Sequence, residues 1–529
     1  MMNRLAILLI SLTLVACATT APRQQEGGIT FIHLNDTYRV GTVEDGKAGG
    51  FSRVVTLIRD LKGQGRDVRI LHGGDFLYPS LESQLWHGLQ MVDAFNFMDA
   101  LAPMYAVAGN HEFDRRTPEQ LIAAVRASQF DWLGDNYGFD TGAEDVDAAL
   151  HPAFTFQSGD KTVGVFSLVL APADGGNERD YLDYDADYVG VAEQTIEELE
   201  AQGVNLIIGV THLHMWQDVE IARLKARHPK FAFIVGGHEH EPEYRPGTET
   251  SATVMKGASN ARVIWAIDVE FDADGRPVLS ERQIKIDESI ALDPEYEVLS
   301  NKWRVRLLEK FPFLEAQIGT AALPLDGREV AIRNEETSWG NFIADQMRGA
   351  FGKPSDLAFI NGGTLRIDDY IEDDILFEDI GRTFGFSSFL RQTTMSGAEF
   401  RKVLEAGYRG FGDSKGYFPQ VSGFRVCIDR SRNEFDRIVS LQIPAGERWQ
   451  EVVDDRQYTV VVPDYLYRGG DGYDIPKDRP ATPPGSELKY LVLDGVLIAQ
   501  AKGEKIGVPV TRENRRFHQL KEGKERCFQ

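Results

Sequence analysis

Basic charge, cysteine and long apolar runs are all scarce in this chain, and each shortage closes off a class of protein. Among 529 residues, 57 Lys and Arg face 81 Asp and Glu, for a formal charge of −24. An acidic average of that size argues against a surface built to follow nucleic-acid phosphates, which needs basic patches, so no nucleic acid polymer is expected as a partner. Three cysteines are too few for a disulfide scaffold. The apolar run from Leu5 to Val15 is too short to span a bilayer. The P-loop pattern GxxxxGK[ST] is also missing.

What is present starts with that short run. Preceded by Arg4, it suits the h-region of a signal peptide, so the protein is expected to be exported to the periplasm or cell surface. Leu14-Val15-Ala16-Cys17 resembles a bacterial lipobox, in which the cysteine becomes the lipidated first residue. Residues 1–17 are therefore read as a lipoprotein-type signal peptide and Cys17 as the sole membrane anchor, with simple secretion as the alternative. Cys427 and Cys527 then remain for at most one disulfide. An apolar content of 42% is ample for two cores in a chain of this length.

Five apolar runs recur through the first half: ITFIHLND (29–36), VRILHGGD (68–75), MYAVAGNHEFD (104–114), VNLIIGVTHLH (204–214) and FAFIVGGHEH (231–240). Helix-period stretches at 51–62, 81–101 and 117–128 separate several of them. Buried strands alternating with helices predict an α/β core. Each run ends in Asp, Asn or His, and in α/β sheets ligands gather where the carboxyl ends of strands converge. Asp36, Asp75, Asn110, His212, His238 and His240 are thus candidate ligands. Their mixture of carboxylate, amide and imidazole suits Zn, Mn, Fe or Co better than Ca²⁺. His111 directly follows Asn110, and Asp114 stands three residues on, placed to orient that imidazole as an acid–base pair.

From about residue 293 the pattern changes. Tyr296, Leu299, Trp303 and Leu307 fall on one helical face after Pro294, predicting a helix between two domains. A second unit follows, with helices at 338–350 and 397–408 and strands at 357–362 and 458–463. Residues 501–529, rich in Lys and Arg, read as a solvated basic tail.

LND (34–36), GGD (73–75), GNHEFD (109–114), THLHMWQD (211–218) and GGHEH (236–240), in this order, resemble the motifs of the calcineurin-like metallophosphoesterases, specifically the 5′-nucleotidase branch. RNEETSWGNFIAD (333–345), NGGTLR (361–366), GYFPQVSGFRV (416–426) and GGDGY (469–473) are similar to that family's C-terminal nucleotide-binding domain. The resemblance implies a mixed α/β chain: a two-sheet sandwich flanked by helices over 28–290, a linker over 291–318 and a substrate-binding α/β domain over 319–500. It implies two divalent ions, the first held by Asp36, Asp75 and His240 and the second by Asp75, Asn110, His212 and His238. Such a pair clamps a phosphoryl group and activates a bridging hydroxide. His111 and Asp114 would assist. Arg366 would bind the substrate phosphate, Phe418 and Tyr473 would stack on the base, and Asp478 would contact base or ribose. Arg333 and Asn341 are weaker candidates.

The implied activity is release of phosphate from nucleotides, a small-molecule substrate class. Cyclic nucleotides, sugar nucleotides, a non-nucleotide ester and a degenerate binding lipoprotein are the alternatives. One departure stands out. The family's first motif reads Asp-x-His, whereas this chain has Asp36-Thr37-Tyr38, and a neutral phenol is a poor metal ligand. TFGFSSFL (383–390) likewise replaces a Pro-Phe-Gly-Asn-like segment of close relatives.

Overall fold

The computed structural model describes residues 28–172, 179–410, 415–446, 448–520 and 526–528; the segment 1–17 expected to be a signal peptide, with Cys17, lies outside them. Among the described residues no helix is long and apolar enough to cross a membrane.

The first domain is a sandwich of two sheets. Parallel strands Ile29–Leu34, Asp67–His72 and Met104–Val107 lie side by side in a seven-stranded sheet. Lys161–Val169, Leu206–His212 and Phe231–Gly236 form the parallel centre of a six-stranded one. Alternation along Lys161–Val169 sends Val163, Val165 and Val169 inward between the sheets and Phe166 and Leu168 outward under helices. Phe31 and Phe233 meet edge to face across the gap, 5.6 Å between centroids. Helices Phe51–Gly63 and Leu89–Asp99 cover the first sheet, and Tyr188–Ala201 with Met215–Ala222 covers the second. The helical stretch expected over 81–101 is two helices, Leu81–Trp86 and Leu89–Asp99. It breaks where His87 and Gly88 take φ of 57° and 84°.

Helix Pro294–Lys310 docks on the first domain: Tyr296 packs on Phe51 and Phe97, and Trp303 on Trp86. Asp293 caps it, accepting from the Glu295 and Tyr296 amides.

The second domain is built on the sheet Leu390–Ser396, Gln457–Pro463, Leu357–Asn361 and Pro419–Ser422. Here too alternation divides two cores. Leu357 and Phe359 face one, and Ala358 and Ile360 the other, beneath helices Ser338–Gly349 and Leu488–Lys502. The reading of 501–529 as a solvated tail is corrected by the structure. Ile506 is buried, and Phe517–Leu520 pairs in parallel with Arg425–Asp429. Cys427 is disulfide-bonded to Cys527. The basic residues that suggested solvation are partly consumed locally: Arg516 makes a bidentate bond to Asp345 and donates to the Val421 carbonyl.

The bridge closes a loop of about 100 residues, for which chain-entropy reasoning gives roughly 4–5 kcal/mol. Cys527→Ser should therefore lower the unfolding transition of the second domain by on the order of 8–20 °C in calorimetry. A superimposable thermogram would show that the bridge contributes nothing.

Candidate active site

The six candidate ligands come from five separated strand tips, and the structure brings them together. Asp36 and Asp75 follow the first two strands of one sheet; His212 closes Leu206–His212 of the other, and His238 and His240 follow Phe231–Gly236. Asp36, Asp75 and His238 adopt φ of 50°, 58° and 81°, a left-handed conformation that costs on the order of 1–3 kcal/mol each unless the surroundings impose it. The surroundings do. Asp36 Oδ2 accepts from the His238 amide (2.9 Å), Asp75 Oδ1 accepts from the His111 amide (2.9 Å), and the Asp36 amide donates to the Gly74 carbonyl (3.0 Å). Loop approach is close enough that a Cβ on Gly109 would fall 2.0 Å from Asp75 Oδ1.

Glu112 organises these turns. Its buried carboxylate accepts from the amides of Asp75 (2.9 Å), Phe76 (2.8 Å), Leu77 (2.8 Å) and Gly109. Burial and the nearby Asp75 push its carboxyl up to about 7, against the pull of the donated N–H bonds. On the other sheet the fully buried Lys256 ammonium donates to the Gly237 carbonyl (2.9 Å) and pairs with Asp218 (3.0 Å) and Glu239, fixing the loop that carries His238 and His240. Neither Glu112 nor Lys256 was singled out in the sequence.

Donor atoms converge on two adjoining points. Asn110 Oδ1 lies 3.1 Å from His212 Nε2 and 3.2 Å from His238 Nδ1, and Asp75 Oδ2 lies 3.3 Å from His212 Nε2. Edges of about 3 Å are those of donors surrounding one ion at about 2.1 Å. His212 Nδ1 is engaged by the Gly73 carbonyl at 2.6 Å, which leaves Nε2 facing the cluster. His240 likewise presents Nε2 to Asp36 (3.2 Å) while the Glu329 carboxylate takes its Nδ1. Asp36, Asp75 and His212 can together hold a metal ion, and so can His240, Glu329 and Asp368.

Burial lowers the basicity of all three imidazoles, with different outcomes. Asp75 outweighs it at His212, and Glu329 and Asp36 at His240, carrying each to about 9. His238, facing His214 and His212, stays well below the usual range and neutral. A cation at these atoms replaces protons on His212 and His240.

Tyr38 stands among the residues implied for the first ion. Its hydroxyl lies 3.4 Å from Asp36 Oδ1, 3.3 Å from Asp75 Oδ2 and 3.1 Å from His240 Nε2. Arg366 Nη2 of the second domain donates to the same oxygen at 3.3 Å. Burial and the two aspartates hold the phenol far above its ordinary range, so it is neutral.

His111 Nδ1 bonds Asp114 Oδ2 at 2.9 Å, and its Nε2 lies 3.9 Å from Asp75 Oδ2. Burial opposes protonation of this ring, yet Asp114 and Asp75 together raise its pKa. The ring lines a cavity of about 1830 Å³ between the domains, whose walls include Asn110, His238, Arg333, Arg366, Tyr417, Tyr465 and Asp471.

Three residues assigned from the resemblance are not at this cavity. Phe418 is 5% exposed and Tyr473 fully buried; both pack in the core, Phe418 against Phe517 and Tyr408, Tyr473 against Phe359. Asp478 is exposed and outside the lining. Neighbours of theirs line it: Tyr417, with the Arg409 guanidinium 3.7 Å above its ring, and Asp471, which accepts from Asn361 (2.8 Å) and Tyr465 (3.0 Å). Asn341 is turned to Glu336 and does not line the cavity. Arg512 and Arg515 of the supposed tail do.

Comparison with known proteins agrees with this architecture. Residues 29–242 match the calcineurin-like phosphoesterase family, and residues 317–478 match the 5′-nucleotidase C-terminal domain. The chain is 25% identical to a 5′-nucleotidase of Bos taurus over 90% of its own length and 89% of the relative's. It is 25% identical to a Homo sapiens 5′-nucleotidase, with 85% of each covered. The crystal structure of a 5′-nucleotidase precursor from Thermus thermophilus superposes with a TM-score of 0.81 at 23% identity, covering 93% of this chain and 99% of that one.

Glu112→Gln tests the loop clamp. An amide oxygen cannot serve four N–H donors, and each buried donor left over costs about 1–3 kcal/mol. The variant should melt several degrees lower and bind divalent metal at least about tenfold more weakly by titration calorimetry; wild-type values in both would remove Glu112 from this role.

Proposed function

Because the chain belongs to the 5′-nucleotidase family of calcineurin-like metallophosphoesterases, we propose that it is an exported hydrolase that frees phosphate from 5′-nucleotides. The observation that carries this reading is the meeting of five polar strand tips, of which Asn110, His238 and His240 open onto a cavity lined by residues of both domains. When bound, a divalent ion there supplies Lewis-acid activation of the phosphate ester and of the attacking water. Asp75, Asn110, His212 and His238 are the residues to hold it.

His111, whose basicity Asp114 and Asp75 raise, faces the cavity and donates a proton to the departing ribose oxygen, with Asp114 orienting the ring. Arg366, anchored 3.4 Å from Glu329, directs its guanidinium fork to the phosphate. The nucleoside lies along the cavity toward Tyr417 and Tyr465, whose ring faces accept any base. The Cys427–Cys527 bridge fits an oxidising compartment and so supports export. Lipid attachment at Cys17 rests on the lipobox-like sequence alone.

A panel of mono-, di-, cyclic and sugar nucleotides assayed for phosphate release under several divalent metals should show the highest kcat/KM on a 5′-nucleotide and loss of turnover with chelator. His111→Ala should lower kcat by about 10²–10⁴ with metal content unchanged. Turnover within a few-fold of wild type would exclude His111 as the acid.

A further inference from the structure

We infer that this centre works with a single divalent ion, bound by Asp75, Asn110, His212 and His238, while the Tyr38 hydroxyl and the Arg366 guanidinium occupy the place of a second. The inference rests on the phosphoesterase reading above.

Geometry separates the two points. Around Asn110 the atoms are all of ligand type: the amide oxygen lies 3.1 Å from His212 Nε2 and 3.2 Å from His238 Nδ1, and the Asp75 carboxylate lies 3.3 Å from His212 Nε2. Around Asp36 the central atom is a hydroxyl that carries its own proton. It has carboxylates to donate to at 3.3 and 3.4 Å, and its oxygen accepts from Arg366 at 3.3 Å. It is already a complete hydrogen-bond hub, both donating and accepting. An ion among Asp36, Asp75 and His240 would have to break these hydrogen bonds and sit beside a guanidinium held over the Tyr38 ring at 5.3 Å.

Charge points the same way. The buried carboxylates of Asp36, Asp75 and Glu329 face two buried cations, Arg333 at 2.6 Å and Arg366 at 3.4 Å from Glu329. A second ion would sit beside these two guanidiniums, adding like charge to a buried site that already holds its cations, the costly outcome for buried charge. Arg366 supplies instead a fixed positive charge that comes from the domain holding the rest of the substrate.

Metal content decides this independently of turnover. After equilibrium dialysis against Zn²⁺ or Mn²⁺, elemental analysis of the wild-type chain should give one ion per chain. Tyr38→His, which restores the imidazole at this position, should rise to two, and Tyr38→Phe should stay at one. Should Tyr38→His not fold, the wild-type count still decides. Two ions of similar affinity in the wild type overturn the inference, as does a visible charge-transfer band with ferric iron that Tyr38→Phe abolishes, since Tyr38 would then be a ligand. Two ions with phosphate release leave the phosphoesterase reading intact; no bound ion and no phosphate release sinks both.

Discussion

The site depends on one buried carboxylate that never faces the cavity. Glu112 gathers amides from the loop after the second strand and from the loop after the third, and four backbone donors that water cannot reach would otherwise go unpaired. Holding those donors is what allows Asp75 to stand in a left-handed conformation with both carboxylate oxygens turned away from its own backbone. Asn110 and His111 follow from the same clamp, since they occupy the short helical turn Asn110–Phe113 whose start is the Gly109 amide. Rigidity at the tips of two strands thus precedes any chemistry, and a metal finds its donors already about 3 Å apart.

The first domain was legible because its strands are buried on both faces. Continuous apolar runs that stop abruptly at Asp, Asn or His leave few readings open, and helices between them imply parallel pairing. The α/β core expected on that basis is the one observed, and its two sheets are those the family resemblance implied. What spacing could not show is which acidic residues point inward. Glu112 and Asp114 sit two apart in one motif, yet one binds backbone and the other binds His111. Glu329 lies far in sequence from the motifs of the first domain and reaches His240 only through domain contact. The tail was misjudged because Arg and Lys dominate its composition, whereas its structure is set by a short strand and a cysteine.

Two aromatic assignments in the second domain, Phe418 and Tyr473, miss the cavity by small offsets with a physical cause. Tyr417 and Phe418 are adjacent, and entry into the strand Pro419–Ser422 turns neighbours to opposite sides. Phe418 therefore goes to the core and Tyr417 to the cavity. Near 471 the chain takes two successive positive φ values, 52° at Asp471 and 71° at Gly472. This local reversal leaves Asp471 in the wall and buries Tyr473, whose hydroxyl donates to the Tyr417 carbonyl at 2.6 Å. The buried ring thereby braces the exposed one. An aromatic motif read without its backbone conformation cannot distinguish the brace from the platform.

The segment 366–369 ties recognition to chemistry. Asp368, in a left-handed turn with φ of 47°, accepts from Ser259 at 2.7 Å and pairs with Arg262, both of the first domain, and Asp369 accepts from the Glu44 amide at 3.0 Å. These contacts lie two and three residues beyond Arg366, too close in the chain for the guanidinium to move independently of them. A shift of the second domain that loosened Asp368 from Ser259 and Arg262 would withdraw Arg366 from Tyr38 in the same motion. The positive charge at the metal centre is therefore conditional on the arrangement of the two domains, which makes the substrate-binding domain part of the reactive centre as well as its specificity wall.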